Sequence, residues 1–238
     1  SRDKNHDQIW LSPDNKLIEK CVGQLQSNGY DLTLEPKGNM FGFLGIEFDR
    51  PEGTDRIVLS QKGLIEKVIR YTGTGTASGK DTPAAQEPLG SDQDGEPFDE
   101  PWSYSAAVGM LLHLSSNTRC DIQLAVHQVA RFSHCPKQSH GQAVKRIIRY
   151  LVATKEMGTS FRPDLTKGLD CYVDADFVGL LGYEDDQDPV SIKARTGFVL
   201  TLFGCPINTQ SKLQSEITLS TVAAELWLSA WQCESSFP

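Results

Sequence analysis

Apolar residues recur with two different periods along this chain, and the change of period divides it into segments. Spacing of three to four residues, which is typical of amphipathic helices, covers residues 14–28, 64–71, 103–115, 122–132 and 139–153. Strand-like segments at residues 40–48 and 55–59 are joined by the turn sequence PEGT. The first two thirds of the chain are therefore predicted to be mainly helical, with one small β-structure near the start.

The period changes again in the last third of the chain. Residues 169–174 and 196–203 are strand-like, residues 205–214 are a weaker third strand, and residues 221–231 return to helical spacing. An acidic stretch at residues 178–195 separates the first two of these strands. We therefore expect an α/β protein with two lobes, which extend over about 1–160 and 166–238.

One long segment, residues 72–101, has no periodicity and is rich in Gly, Pro and Ser. Five acidic side chains fall within its last part, between Asp92 and Glu100. Such a composition buries little apolar surface, so it predicts a solvated linker or a surface loop within the first lobe. We expect no functional role for it.

Composition excludes several classes of protein. The chain has 238 residues, a formal charge of −8 and 39% hydrophobic residues, which is typical of a soluble globular protein. The apolar runs are too short to span a bilayer, and no basic segment followed by an apolar one opens the chain. We therefore expect a cytoplasmic or nuclear location, without secretion. The six scattered cysteines form no CxxC pair, so reduced thiols are expected and a zinc site is not.

Charge is distributed unevenly, and residues 131–167 carry eight basic against two acidic side chains. Three of these cations lie on one flank of the helix predicted at 139–153, away from Ile147 and Leu151. Such a stripe suits contacts with a nucleic-acid backbone that read no sequence, although an ordinary solvated helix face is the alternative. The candidate nucleic-acid-binding residues are Arg131, Lys145, Arg146, Arg149 and Lys155.

Two carboxylates carry the most specific candidate chemistry. Asp174 lies on a predicted strand, on the face opposite Cys171 and Val173. Glu225 lies on the last predicted helix with apolar neighbours on both sides, which is costly unless the carboxylate reaches water or a cation. A strand carboxylate and a helix carboxylate make up half of a two-metal hydrolase site. The alternative is that Asp174 begins a turn and Glu225 is solvated.

Six motifs connect these features with a known family. They are FLGIEF (43–48), IVLSQKGLIEKVI (57–69), a long segment from WSYSAAVGMLLHLSSNTRC to YLVATKEMG (102–158), YVDADFVG (172–179), KARTGFVLTLFGCP (193–206) and SKLQSEITLSTVAAEL (211–226). In this order they resemble the Pol polyprotein of copia-type LTR retrotransposons. The matching region runs from just beyond the polymerase active site into the ribonuclease H domain.

The resemblance implies a fold and a set of roles. It implies a helical reverse transcriptase thumb/connection-like lobe, followed by an incomplete ribonuclease H-like mixed sheet with one packed helix. The first lobe would grip an RNA–DNA hybrid or another duplex by its backbone, with other Pol segments as further partners and no membrane. Asp174 and Glu225 would be catalytic ligands of Mg²⁺. Asp176 is a further candidate, for which a solvated loop carboxylate is the alternative.

Departures from the family lower the expected activity. The paired-aspartate turn of the polymerase is missing, and Asp185–Asp186 lies in the acidic stretch, so it is a false match. Ala223 replaces the first glutamate of the family's helix motif, and later metal-binding aspartates are not in the sequence. We therefore expect a truncated or degenerate Pol fragment with little or no activity of its own. The alternative is a non-catalytic nucleic-acid-binding module. We also expect the strand at 169–174 to be an unpaired edge with an uncovered apolar face.

Overall fold

The computed structural model describes residues 15–29, 42–43, 45–51, 53–176 and 193–214, and the structural statements below refer to these. The α-helices are α1 (Asn15–Ser27), α2 (Lys62–Thr72), α3 (Tyr104–Asn117), α4 (Gln123–Ala130) and α5 (Gln138–Ala153). The strands are β1 (Gly42–Phe43), β2 (Ile46–Asp49), β3 (Ile57–Ser60), β4 (Thr159–Phe161), β5 (Leu169–Asp176), β6 (Arg195–Leu202) and β7 (Cys205–Leu213). The helix predicted at 221–231 and most of the acidic stretch lie outside the described residues.

The described residues confirm a mixed α/β protein, with five α-helices and two small antiparallel sheets. The strand orders are β1-β2-β3-β4 and β5-β6-β7. We expected a mixed second sheet, but each pairing among its three described strands is antiparallel. Among all the described residues, no helix is long and apolar enough to cross a membrane.

Two features of the first sheet differ from the sequence prediction. Residues 40–48 were predicted as one strand, whereas the structure has a tight hairpin in which Phe43 pairs with Ile46. Gly45 accounts for this turn because its φ of 79° lies in the left-handed region, where glycine has no Cβ to clash. Strand β4 was not predicted, since three residues are too few to show a period, and it pairs with β3 across about a hundred residues of sequence.

The chain divides into two compact units, residues 1–40 and 41–238. In the first, α1 is the described helix and buries Val22. In the second, the core is formed by the apolar sides of α2 to α5, as the helical spacing predicts. Helix α5 contributes Val144, Ile147, Ile148 and Leu151, each at most 1% exposed. The predicted boundary between lobes near residues 160–166 stays a prediction.

A buried arginine joins the end of α3 to the end of α5. The side chain of Arg119 is 2% exposed and donates two hydrogen bonds to the carboxylate of Asp121, at 2.9 and 2.7 Å. It also donates to the carbonyl oxygen and the hydroxyl of Thr154, at 3.0 and 2.7 Å. The hydroxyl of Tyr150 donates to the same carboxylate at 2.8 Å. These bonds give a buried guanidinium the acceptors without which its burial would be strongly unfavourable.

The aperiodic segment between α2 and α3 packs on α5, and we call residues 73–101 the strap. It begins where Gly73 ends α2 in the left-handed conformation, with φ of 66°. Near its other end the ring of Phe98 lies edge-on to those of Trp102 and Tyr104, with centroids 4.8 and 5.4 Å apart. A Cβ on Gly141 of α5 would come within 2.9 Å of the Phe98 ring, so glycine lets the two elements approach closely.

Replacement of Asp121 by Asn removes the charge that compensates buried Arg119. We expect a loss of about 3 kcal/mol in the free energy of unfolding, at the low end for a broken buried pair, because the Asp121 side chain is 30% exposed. Urea unfolding at pH 7 measures this. Asp94→Asn in the strap, an exposed acid without a described partner, is the matched control and should change stability by less than about 0.5 kcal/mol.

The ion pair between Arg119 and Asp121 also predicts how the stability of the protein depends on pH. Burial alone would raise the pKa of Asp121, but the hydrogen bonds and charge of Arg119 outweigh it and hold that pKa below its ordinary value. The carboxylate therefore contributes stability above the unfolded pKa of about 3.9, and this contribution is lost as pH falls through the lower folded value. The wild type should lose stability over this window relative to Asp121→Asn. Parallel curves for the two proteins would contradict this account of the site.

Candidate functional site

Helix α5 is the element that positions most of the candidate cations. Pro136 precedes it, and the backbone N–H of Lys137 donates to Nδ1 of buried His140 at 3.0 Å, which fixes the first turn. Because Nδ1 accepts, Nε2 carries the proton and donates to the carbonyl oxygen of Gly90 in the strap, at 2.9 Å. The ring of Phe132 stacks on His140 at 4.0 Å. The start of α5 is thus held to the turn that follows α4 and to the strap.

The structure brings three of the candidate cations together on one flank of α5. Lys145, Arg146 and Arg149 lie within four residues of one another, and each is only partly exposed. They point away from the buried side that carries Ile147 and Leu151, as the helical spacing predicts. This arrangement is a compact group of positive charges against an apolar core.

Each of these three cations donates to an oxygen of the strap. Nζ of Lys145 forms an ion pair with Glu100 at 2.6 Å, and the two side chains are 27% and 19% exposed. Nη2 of Arg146 donates to the hydroxyl of Thr82 at 2.8 Å. The guanidinium of Arg149 donates through Nε and Nη2 to the carbonyl oxygen and hydroxyl of Ser78, at 2.6 and 2.8 Å.

These contacts compensate the three charges unequally. Only Lys145 meets a carboxylate, whereas Arg146 and Arg149 meet neutral acceptors and form no ion pair with a described residue. In addition, Nε of Arg146 is inaccessible to solvent and has no hydrogen-bond partner among the described residues. The flank therefore keeps unbalanced positive charge, which a phosphate could compensate.

The two remaining candidate cations lie away from this flank. Lys155 follows the end of α5 and pairs with Glu66 of α2 at 2.5 Å, in an exposed contact. Arg131 follows the end of α4, and its guanidinium lies over the ring of Phe132, 5.1 Å from the centroid. The sequence alone did not show that Arg131 and Lys155 make contacts different from those of the three cations on α5.

A cavity of about 420 Å³ adjoins the flank and was not predicted from the sequence. It lies between the middle of the strap and helices α4 and α5, with apolar walls that include Leu89, Val129 and Ile147. Lys80 and Arg146 are among its polar lining residues. No periodic pattern marks a cavity roofed by an irregular segment, so the sequence held no signal for it.

The candidate carboxylates lie on the second sheet. The side chain of Asp174 is exposed, and its register partner on β6 is Gly197, which leaves the space beside the carboxylate open. Asp176 is two residues further along β5, in register with Arg195. Glu225 lies outside the described residues, so its approach to Asp174 stays a prediction. Among the described residues no group of three or more His, Cys, Asp or Glu side chains could hold a metal ion.

Strand β5 leaves apolar residues uncovered within the described part of the chain. It pairs on one side, with β6, and Leu169 and Tyr172 are 62% and 63% exposed. Because neighbouring residues of a strand point to opposite faces, exposure of both Tyr172 and Val173 means that neither face of β5 is covered by a described element. The expected open edge and uncovered face stay a prediction for the whole chain, because residues 177–192 and 215–238 lie outside the described residues.

Comparison with known proteins identifies the family. The chain is 37% identical over 184 residues to the Retrovirus-related Pol polyprotein from transposon RE1 of Arabidopsis thaliana, a match that covers 77% of this chain and 12% of that protein. It is 34% identical to the Pol polyprotein from transposon RE2 of the same plant, over 89% of this chain and 14% of that protein. It is 33% identical to the one from transposon TNT 1-94 of Nicotiana tabacum, over 92% and 16%.

The limits of this likeness are clear. The chain spans less than a fifth of the length of each of these three relatives. No family model matches the sequence, and no solved structure matches it significantly. Similarity over most of the chain to three such polyproteins nevertheless decides its ancestry: the chain belongs to the retrovirus-related Pol polyproteins of copia-type transposons.

Proposed function

We propose that this chain is a fragment of a copia-type Pol polyprotein that contacts the backbone of an RNA–DNA hybrid, or of another nucleic-acid duplex, through the cationic flank of α5. The observation that supports this most directly is the group formed by Lys145, Arg146 and Arg149. It lies in a region with a local charge of +6, within a chain whose total charge is −8. Such a local excess attracts a polyanion even when the whole protein is acidic.

The chemistry of the flank favours backbone contacts over the reading of bases. Two of the three cations are arginines, whose planar guanidinium groups bind phosphate oxygens through paired hydrogen bonds. Contacts of this kind carry no sequence information and weaken steeply as salt rises. We therefore propose binding that depends on duplex charge and salt, with little preference for sequence.

The catalytic activities are proposed for the complete Pol protein and not for this chain alone. We propose RNA-directed DNA synthesis and cleavage of RNA in hybrids as those activities, with this chain extending from the end of the reverse transcriptase into the ribonuclease H domain. The chain alone would have little or no turnover, because it carries no paired-aspartate polymerase motif. The alternative, a non-catalytic binding module, shares the same binding flank.

Magnesium is the metal that the ribonuclease H proposal implies. Oxygen ligands such as the exposed carboxylate of Asp174 suit this ion. Asp174 and Glu225 would hold it, with Asp176 as a further candidate. When bound, Mg²⁺ would activate water and stabilise the leaving oxygen during phosphodiester hydrolysis. Two carboxylates from this chain leave a pair of such ions incompletely held, which is the reason for the low expected turnover.

Charge reversal on α5 tests the binding proposal. Lys145→Glu with Arg149→Glu should abolish salt-sensitive binding to a short RNA–DNA hybrid, measured by fluorescence anisotropy at 50 to 200 mM salt. Lys67→Glu with Arg70→Glu makes the same charge change on the exposed face of α2 and should weaken binding less than about threefold. Equal effects of the two double variants would show that net charge, rather than the α5 flank, governs binding.

Because Lys145→Glu would place a second carboxylate beside Glu100, the variant proteins need a test of folding. Lys145→Gln with Arg149→Gln removes both charges without adding repulsion, and it should still lower the salt dependence by about two phosphate contacts. Unchanged affinity in a variant with wild-type thermal unfolding would refute the role of this flank.

A cleavage assay tests the proposed lack of turnover. The wild-type chain, incubated with an RNA–DNA hybrid and Mg²⁺, should release no RNA fragments above background. Asp174→Asn is the matched control. Cleavage by the wild type that disappears in Asp174→Asn would show that the carboxylates of this chain complete a working site. Hybrid binding without cleavage is the result expected for this fragment and for the non-catalytic module alike.

A further inference from the structure

The strap occupies the cationic flank of α5 with the same kind of atom that a phosphate group would offer. Glu100, Ser78 and Thr82 supply the oxygen acceptors, one strap residue for each cation of the flank. These residues are spread over the strap, and their contacts hold it to little more than one turn of α5. A duplex backbone that reached the same donors would have to replace these oxygens.

The two ends of the strap are anchored without the help of the three cations. At the start, the N–H of Gly73 bonds to the last turn of α2. At the other end, the N–H of Phe98 donates to the carbonyl oxygen of Pro136 at 3.1 Å, and the Phe98 ring packs on Trp102 and Gly141. Loss of the contacts with the α5 cations would therefore leave both ends in place.

The middle of the strap, residues 80–89, forms fewer hydrogen bonds to α5 than residues 90–101 do. Residues 80–89 form the wall of the 420 Å³ cavity that faces α4 and α5. This pocket is partly open to solvent, and Ala84 and Leu89 of the strap pack in part against the apolar core. Besides the side-chain contacts with Arg146 and Arg149, the hydrogen bond from Lys80 N–H to the carbonyl oxygen of Arg149, at 3.3 Å, ties this part to α5.

We propose that the strap is an intramolecular competitor for the nucleic-acid site. In the free protein its oxygens occupy the donors of Lys145, Arg146 and Arg149, and duplex binding exchanges them for phosphate oxygens while the middle of the strap moves outwards. This inference rests on the binding function proposed above. Glu100 is the strongest competitor, because it alone brings a negative charge, which would also repel an approaching phosphate.

Glu100→Gln tests the competition, since it keeps the shape of the side chain and removes its charge. Asp94→Asn is the matched control, because it makes the same change of net charge on the same strap at an exposed residue without a described partner. We expect Glu100→Gln to bind a 20-base-pair RNA–DNA hybrid at least fivefold more tightly than Asp94→Asn at 50 mM salt. The logarithm of its binding constant should also fall more steeply with the logarithm of salt concentration, by the amount expected for about one further phosphate contact.

The outcomes separate this inference from the proposed function. Equal affinities of the two variants, with binding that still depends on Lys145 and Arg149, would refute the competition and leave the binding function standing. Weaker binding by Glu100→Gln would also refute it, because the ion pair would then support the site. Absence of hybrid binding in the wild type and in both folded variants would overturn the proposed function and this inference together.

Discussion

The partly buried charges of α5 need acceptors, and this requirement governs much of the structure. One side of the helix is fully buried in the core, and the cations on the neighbouring flank are only partly exposed. Lys145, Arg146 and Arg149 donate to oxygens of the strap. A long segment that buries little apolar surface of its own thereby obtains a defined path across the helix. The three cations fix the path of the strap, whose Glu100 in turn neutralises Lys145.

Both ends of α5 are held by polar contacts that complement its apolar side. At the start, His140 accepts from the Lys137 N–H and donates to Gly90 of the strap. At the end, buried Arg119 bonds to Thr154 and ties the helix to the segment that follows α3. A helix fixed in this way presents its flank at a constant position, as the proposed contact with a duplex backbone would require.

Periodicity predicted the described helices, since α2 to α5 each bury apolar residues in a common core, and the same spacing placed Lys145 and Arg149 on a common flank. It could not predict the partners of these cations, since Glu100 and Ser78 come from a segment without any period. It also missed the turn at Gly45 and strand β4, which depend on one backbone conformation and on a distant pairing. For the carboxylates, the sequence placed Asp174 on a strand, and the structure shows it exposed there.

Hydrogen exchange of two strap amides, with and without saturating RNA–DNA hybrid, tests the account most directly. Lys80 N–H bonds to α5 beside the cations, whereas Phe98 N–H bonds to Pro136 at the anchored end. If the duplex displaces the middle of the strap, the Lys80 amide should exchange at least tenfold faster in the complex and the Phe98 amide should be unchanged. Equal or greater protection of Lys80 in the saturated complex would contradict the account.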